Sequence, residues 1–381
     1  MIPYGRQNIS QEDIDAVVDV LKSDFLTQGP VVPEFERAVA KYVGTRHAVA
    51  STNATSSLHL ACLALGLGPG DLLWTSPITF VASANCARYC GADVDFVDID
   101  PKTYNMCPEK LEEKLQKADS IGRLPKIIVP VHLCGQSCDM EKIGQLARKY
   151  GIHVVEDASH AIGGKYNERP VGSCEHSDIT VFSFHPVKIV TTAEGGLATT
   201  NDAGLADRME LLRSHGITRD EAKMVGVSEG GWYYQQIELG FNYRMTELQA
   251  ALGLSQFNRL DEFVEKRNEL AKSYQKEFSK VGIGFQHILE RTYSAFHLFV
   301  IQLPSGNDHK RIFDGLRSNG VGVNLHYIPV HLQPYYRAFG FSNGDFPNAE
   351  RYYEKAISLP MFPKMSNEDL LKVQKTLVEL L

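Results

Sequence analysis

Short apolar runs alternate with amphipathic segments over the first two-thirds of the chain. The runs at 47–51, 72–75, 93–98, 127–132, 152–156 and 178–184 have the length and content of buried strands. The stretches at 55–65, 79–90, 109–117 and 141–150 read as helices; in the last, Ile143, Leu146, Ala147 and Tyr150 fall on one helical face. Such alternation predicts an α/β fold with a mostly parallel sheet covered on both faces. Ligands of such sheets bind outside the carboxyl ends of the strands. From Thr246 to about Lys280 the pattern is helical, apolar at first and charge-rich later. It predicts a bridging helix between a large domain over 1–250 and a small C-terminal domain over 251–381, with the N-terminal segment packed on the small domain. Strands of the small domain are expected at 295–303 and 321–327, and a closing helix from Asp369 to Leu381. The segment 216–236 is loop-like but aromatic, with Trp232, Tyr233 and Tyr234 beside Gly230 and Gly231, and reads as a functional flap.

At 381 residues the chain is longer than one core usually holds, in keeping with two domains. Its 43% hydrophobic and 22% charged residues are ordinary for a globular enzyme. A net charge of −7 argues against nucleic acid as a partner. No apolar run approaches the ~18 residues that span a bilayer. The first residues, Met1-Ile2-Pro3-Tyr4-Gly5-Arg6, lack the basic and apolar regions of a leader, so no membrane partner and a cytoplasmic location are expected. The seven cysteines are odd in number, which speaks against a disulfide framework. Cys86/Cys90 and Cys134/Cys138 are spaced by four rather than three, so reduced thiols are expected rather than a metal site.

The stretch around Lys188 is the most informative. The apolar run from Ile179 to Phe184 breaks at Pro186 and leaves Lys188 in a turn, followed by Thr191-Thr192-Ala193-Glu194-Gly195-Gly196. Most lysines are surface charges. This one stands at the mouth of a sheet, and another strand ends in Asp157, 31 positions earlier (188 − 157). That pairing suits a Schiff-base lysine serving pyridoxal phosphate (PLP), with the carboxylate keeping the pyridine nitrogen protonated. Taken alone, Asp157 could simply cap the next helix, and His160 could be structural or pack beside the cofactor. Asn53-Ala54-Thr55-Ser56-Ser57 precedes an apolar helix, whose free N–H groups suit a phosphate or an ordinary cap. Ser183 could add a further donor. Phe80 follows a strand where an aromatic ring can stack on a pyridine, or be core. Gly66-Leu67-Gly68-Pro69-Gly70 is not a dinucleotide turn: it follows a helix and precedes a strand.

Together these segments resemble, over nearly the whole chain, the PLP-dependent sugar aminotransferases of the DegT family. The segments that carry the resemblance are Leu26-Thr27-Gln28-Gly29, Ala54-Thr55-Ser56, Glu156-Asp157-Ala158-Ser159-His160-Ala161, Ser183-Phe184-His185-x-x-Lys188 with Glu194-Gly195-Gly196, Gly240-Phe241-Asn242-Tyr243-Arg244 and His326-Tyr327-Ile328-Pro329. The resemblance implies a fold-type I architecture, like aspartate aminotransferase. It implies Lys188 as the Schiff-base lysine, Asp157 on the pyridinium and Phe80 on the ring. Thr55, Ser56 and Ser183 would hold the phosphate, with His160 beside the cofactor. It also implies a homodimer with shared active sites, in which Asn242 reaches the phosphate of the other subunit. Thr27, His185, His326 and Tyr327 are expected on the substrate side. No metal is implied.

The His185-Pro186-Val187-Lys188 form of the turn is similar to that of members in pseudaminic acid synthesis and of those making 4-amino-4-deoxy-arabinose. The start, Tyr4-Gly5-Arg6-Gln7-Asn8-Ile9, favours the former. The partners implied are L-glutamate with 2-oxoglutarate, and a UDP-4-keto-6-deoxy-N-acetylhexosamine aminated at C4 to UDP-4-amino-4,6-dideoxy-N-acetyl-β-L-altrosamine. UDP-4-keto-arabinose or GDP-4-keto-6-deoxymannose are alternative substrates, and a non-catalytic PLP-binding regulator is the alternative of another class. The aromatic 226–236 segment departs from the family's pattern.

Overall fold

The computed structural model describes residues 1–381. Seven strands form the central sheet: β1 (His47–Ser51), β2 (Leu72–Thr75), β3 (Asp93–Phe96), β4 (Ile127–Val129), β5 (His153–Asp157), β6 (Ile179–Ser183) and β7 (Gly196–Thr200). Their spatial order is β1-β7-β6-β5-β4-β2-β3. All pairings are parallel except those of β7, which runs antiparallel to both β1 and β6. The α/β expectation is met, and the parallel strands present their carboxyl ends at one edge. β7 itself is not in the predicted set. Because Ser183 pairs with Gly196, the Lys188 turn is the loop of a β6–β7 hairpin, closed by Phe184 N–H donating to Gly195 O at 2.9 Å.

Helix Ala54–Ala64 is buried over most of its surface and packs in the large core cluster with Leu73, Val129, Val155 and Val181. A helix apolar all round must lie inside, and this one runs from the end of β1 directly behind the sheet's carboxyl edge. The outer strand β3 is blocked rather than left open. Lys114 Nζ donates to Phe96 O, Asp95 Oδ1 accepts from the Phe96 N–H, and Arg88 Nη1 donates to Ala92 O. Side chains that occupy edge groups this way prevent pairing with another chain.

A second sheet of Gly284–Phe285, Phe299–Gln302 and Ala356–Leu359 is antiparallel and builds its own core with helices Leu260–Phe278, His309–Ser318 and Asn367–Leu380. Ile2 lies in that core, so the first residues pack there. The bridging pattern is two helices, Glu247–Phe257 and Leu260–Phe278, broken at Asn258 and Arg259. The run 321–327 is not a strand. It makes only isolated bridges, Val321 to Ile2 and Asn324 to Ser358, and then turns toward the sheet edge. The segment 216–236 is a hairpin paired at its base, Ile217–Thr218 with Gln235–Gln236, and its Trp232 is 74% exposed. All seven cysteines are buried and unpaired. No helix is long and apolar enough to cross a membrane.

Candidate active site

A cavity of about 840 Å³ opens at the carboxyl edge of the sheet. It is lined by Thr55, Ser56 and Ser183, by Asp157, His160 and Lys188, and by Phe80, His185, His326 and Tyr327. Ten of the twelve residues expected at the site therefore meet in one place. Thr27 and Asn242 do not. Thr27 is exposed and bridges Thr246, and Asn242 is exposed and bridges Ser214.

Each side chain has a local reason for its position. Asn53 adopts an extended conformation and caps helix Ala54–Ala64, its Oδ1 accepting from Ser56 N at 2.9 Å. The first turn's remaining amides stay open for an anion, where the helix dipole favours one. β7 approaches that turn so closely that a methyl group on Gly196 would overlap the Asn53 carbonyl. Gly196→Ala is therefore expected to push the helix start away and cost roughly 1–3 kcal/mol of stability, with weaker retention of PLP on dialysis. Thermal melting and residual visible absorbance would check both effects.

Asp157 ends β5 and is held from two sides. Ser83 Oγ donates to its Oδ2 at 2.5 Å, and the Ser159 amide donates to Oδ1 at 3.1 Å. Since the Ser83 proton goes to Asp157, Thr79, 2.7 Å from Ser83 Oγ, is the donor in that pair. On the opposite face of the same strand, Glu156 is buried against His132 at 2.6 Å and accepts from Ser177 and Thr180. His132 Nδ1 accepts the Cys138 amide proton, so its Nε2–H points at Glu156. These bonds hold Glu156 below the ordinary carboxylate range against the opposing pull of burial.

Burial pushes the Lys188 amine down from its ordinary 10.5 to about 8, with Asp157 opposing part of that shift. The same burial, together with the charge of Lys188, keeps His160 well below the usual imidazole range and His326 down to about 3. His160 Nδ1 accepts from the Cys134 amide at 3.3 Å, so the ring proton sits on Nε2 and faces the Tyr327 hydroxyl at 3.1 Å. Burial, then Asp157, pushes the Tyr327 phenol up, so it stays protonated. His185 is exposed on the turn, 4.0 Å from Glu194 across its two limbs, and burial lowers it only in part.

This donor set fits PLP on structural grounds. Open amides and three hydroxyls stand where a phosphate would be held, a fixed carboxylate stands at a strand end, and an amine sits with a depressed pKa. The Phe80 ring is 58% exposed and free to cover a flat ligand. Sequence reasoning missed Ser83, Thr79, Tyr4 and His297, which also bear on the cavity or its carboxylate. The Thr79/Ser83 pair at i, i+4 on a helix start was the legible signal for the first two. His297, two residues before the strand Phe299–Gln302, left no such signal.

The comparisons agree with this geometry. Residues 7–378 match the model of the DegT/DnrJ/EryC1/StrS aminotransferase family, and the chain belongs to that family. It is 40% identical over 386 residues to the UDP-4-amino-4,6-dideoxy-N-acetyl-β-L-altrosamine transaminase of Campylobacter jejuni, covering 100% of this chain and 98% of that one. It is also 40% identical over 375 residues to the spore coat polysaccharide biosynthesis protein SpsC of Bacillus subtilis, covering 97% and 94%. The solved structure of Helicobacter pylori PseC, an aminotransferase of pseudaminic acid biosynthesis, superposes with a TM-score of 0.91 at 30% identity, covering 100% of this chain and 98% of that one. Structural neighbours at similar identity include PLP and pyridoxamine phosphate forms. The protein is a PLP-dependent nucleotide-sugar aminotransferase of the fold-type I class.

Proposed function

We propose that this enzyme moves an amino group from L-glutamate to C4 of a UDP-4-keto-6-deoxy-N-acetylhexosamine, giving UDP-4-amino-4,6-dideoxy-N-acetyl-β-L-altrosamine. The observation that carries the reading is the lysine–carboxylate–phosphate-cradle constellation in one cavity, in a chain alignable end to end with a transaminase of that name. The residues of the cavity then take these roles. Thr55, Ser56, Ser183 and the open amides of helix Ala54–Ala64 hold the cofactor phosphate. Phe80 covers the ring and His160 packs beside it. Asp157 keeps the pyridine nitrogen protonated. Bound PLP supplies the electron sink that lets the α-proton of an amino acid leave. Lys188 takes that proton from the donor's Cα in one half of the exchange and delivers a proton to the sugar's C4 in the other. His185, His326 and Tyr327 face the substrate side.

A homodimer is part of this reading. Asn242, exposed on its own chain, would reach the cofactor phosphate of a second copy, and Thr27 the shared substrate mouth. Exposed Val225, Val227, Trp232 and Leu239 support an apolar surface for self-association. The division into a large domain over 1–250 and a small one over 251–381 belongs to the same proposal.

The test is visible absorbance of the PLP-loaded protein during two additions. Glutamate should bleach the band. After the donor is removed, UDP-2-acetamido-2,6-dideoxy-β-L-arabino-hex-4-ulose should restore it. A band that bleaches yet returns only with UDP-4-keto-arabinose or GDP-4-keto-6-deoxymannose would reassign the sugar. A band that never bleaches with any amino donor would favour the regulator.

A further inference from the structure

His297 has no place in the roles above. It is 4% exposed, lines the cavity, and its ring centroid lies 4.5 Å from that of His160. Its Nδ1 is buried and has no hydrogen-bond partner. Buried imidazoles are normally satisfied; here Nδ1 is sealed inside the wall, and Nε2, which also makes no hydrogen bond within the chain, is the nitrogen left to meet a ligand. Its position is held tightly. Phe296 beside it has φ 42°, and Cys134 opposite has φ 63°, a conformation that side chains disfavour. A methyl group on Gly135 would lie 2.6 Å from Phe296 N, so the two segments touch backbone to backbone. Arg267, fully buried, donates to the carbonyls of His297 at 3.0 Å and Met361 at 3.1 Å. Strained residues kept in place by surrounding bonds tend to mark working sites.

His326 stands nearby. Ser358 occupies its Nδ1 at 2.7 Å, which leaves Nε2 for the cavity. The titratable groups whose charge bears on His297 are Lys188, His160, Arg267 and His326, with no carboxylate among them. Those that face His326 are Lys188 and the rings of Tyr4 and Tyr327. The nearest acid, Asp157, is tied to Ser83 and Ser159. This corner of the cavity thus brings the Lys188 amine and two protonatable imidazoles together with no carboxylate, and its complement is an anion.

The anion can be identified from the chemistry. The cofactor phosphate has its own cradle on helix Ala54–Ala64. Of the two substrates, only the amino acid carries a charge one bond from its reacting carbon, so that charge must come to rest beside Lys188. We propose that His297 and His326 form the subsite for the α-carboxylate of the amino donor, an inference that rests on the amino-transfer reading of the site. Histidine suits two alternating substrates where arginine would not. Both imidazoles are neutral when no anion is present, because burial and Lys188 suppress their protonation. An uncharged sugar can then occupy the same space without leaving a buried charge unpaired.

The test compares wild type with His297→Asn and His326→Asn, each PLP-loaded and with its visible band and melting temperature verified. The readouts are KM for glutamate, KM for the sugar nucleotide, and Kd for glutarate, an unreactive dicarboxylate, by calorimetry. A hydrogen bond to a charged group is worth enough that either variant should raise the glutamate KM and the glutarate Kd about tenfold or more. In His297→Asn the sugar-nucleotide KM should stay within about twofold, because a neutral donor at the same place serves a neutral ligand. Glutamate and glutarate values unchanged in both variants would overturn the subsite alone, as would a rise confined to the sugar nucleotide. Glutamate failing to bleach the wild-type band would overturn the amino-transfer reading and the subsite with it.

Discussion

Replacing Lys188 with alanine is expected to lower turnover by about 10³-fold or more while leaving the fold intact. Two functions are lost together. The amine that anchors the cofactor goes, and so does the base that moves the α-proton, a loss of about 10²–10⁴ on its own. Circular dichroism should be unchanged, and PLP should no longer resist dialysis. The amine's environment adds a pH signature. In the cofactor-free protein, burial holds Lys188 down to about 8 rather than 10.5. The free amine is the form that captures PLP. The capture rate should therefore rise with pH and level off above about 8, and a rise continuing toward 10.5 would count against a buried amine. Wild-type turnover by Lys188→Ala would remove Lys188 from the mechanism altogether.

Asp157→Asn is expected to lower turnover by about 10²–10³-fold, the scale seen when one fixed electrostatic partner of the reacting centre is removed. Asparagine keeps the shape: its one carbonyl oxygen can still accept from the Ser159 amide and its NH2 can donate to Ser83 Oγ, so melting temperature should change little. What goes is the negative charge that keeps the pyridine nitrogen protonated. Ser83→Ala separates charge from placement. It leaves the carboxylate ionised but frees one oxygen, and should cost about tenfold or less. Turnover of Asp157→Asn near that of wild type would show that the carboxylate only caps the following turn.

Most of the sheet was legible because parallel strands buried on both faces read as plain apolar runs. Six of its seven strands were visible in that way. β7 was not, because Gly196-Leu197-Ala198-Thr199-Thr200 has one large aliphatic side chain, and its threonines are buried by hydrogen bonding instead. Thr199 Oγ1 donates to Gly172 O and Thr200 Oγ1 to Asp178 O. The run 321–327 looked like a strand from its alternation, yet the backbone of Ile2 and Pro3 lies against Gly322 and the chain then leaves for the cavity. The helical pattern after Thr246 hid a break, since neither Asn258 nor Arg259 is a strong breaker.

The cofactor residues were visible because each sits at or just beyond the end of an element whose pattern was clear. Asp157, Ser183 and Thr55 stand where a strand or helix stops or starts, and Lys188 lies in the turn that follows Ser183. His297 was not visible in the same way. Its role depends on Gly135 meeting Phe296 and on Arg267 reaching a carbonyl 30 positions away, contacts with no local signal.

The seven buried, unpaired cysteines have a practical consequence. A thiol inside the native protein cannot meet a bulky reagent, so labelling with a thiol-reactive dye reports opening rather than surface chemistry. Cys90 should be first to respond, because Cys62 and His59 beside it favour its thiolate. It sits one residue past helix Ala82–Tyr89, the helix that carries Ser83. The molecule thus contains its own fluorogenic clock for loosening of the element that steadies Asp157, and it can be read without engineering a single residue.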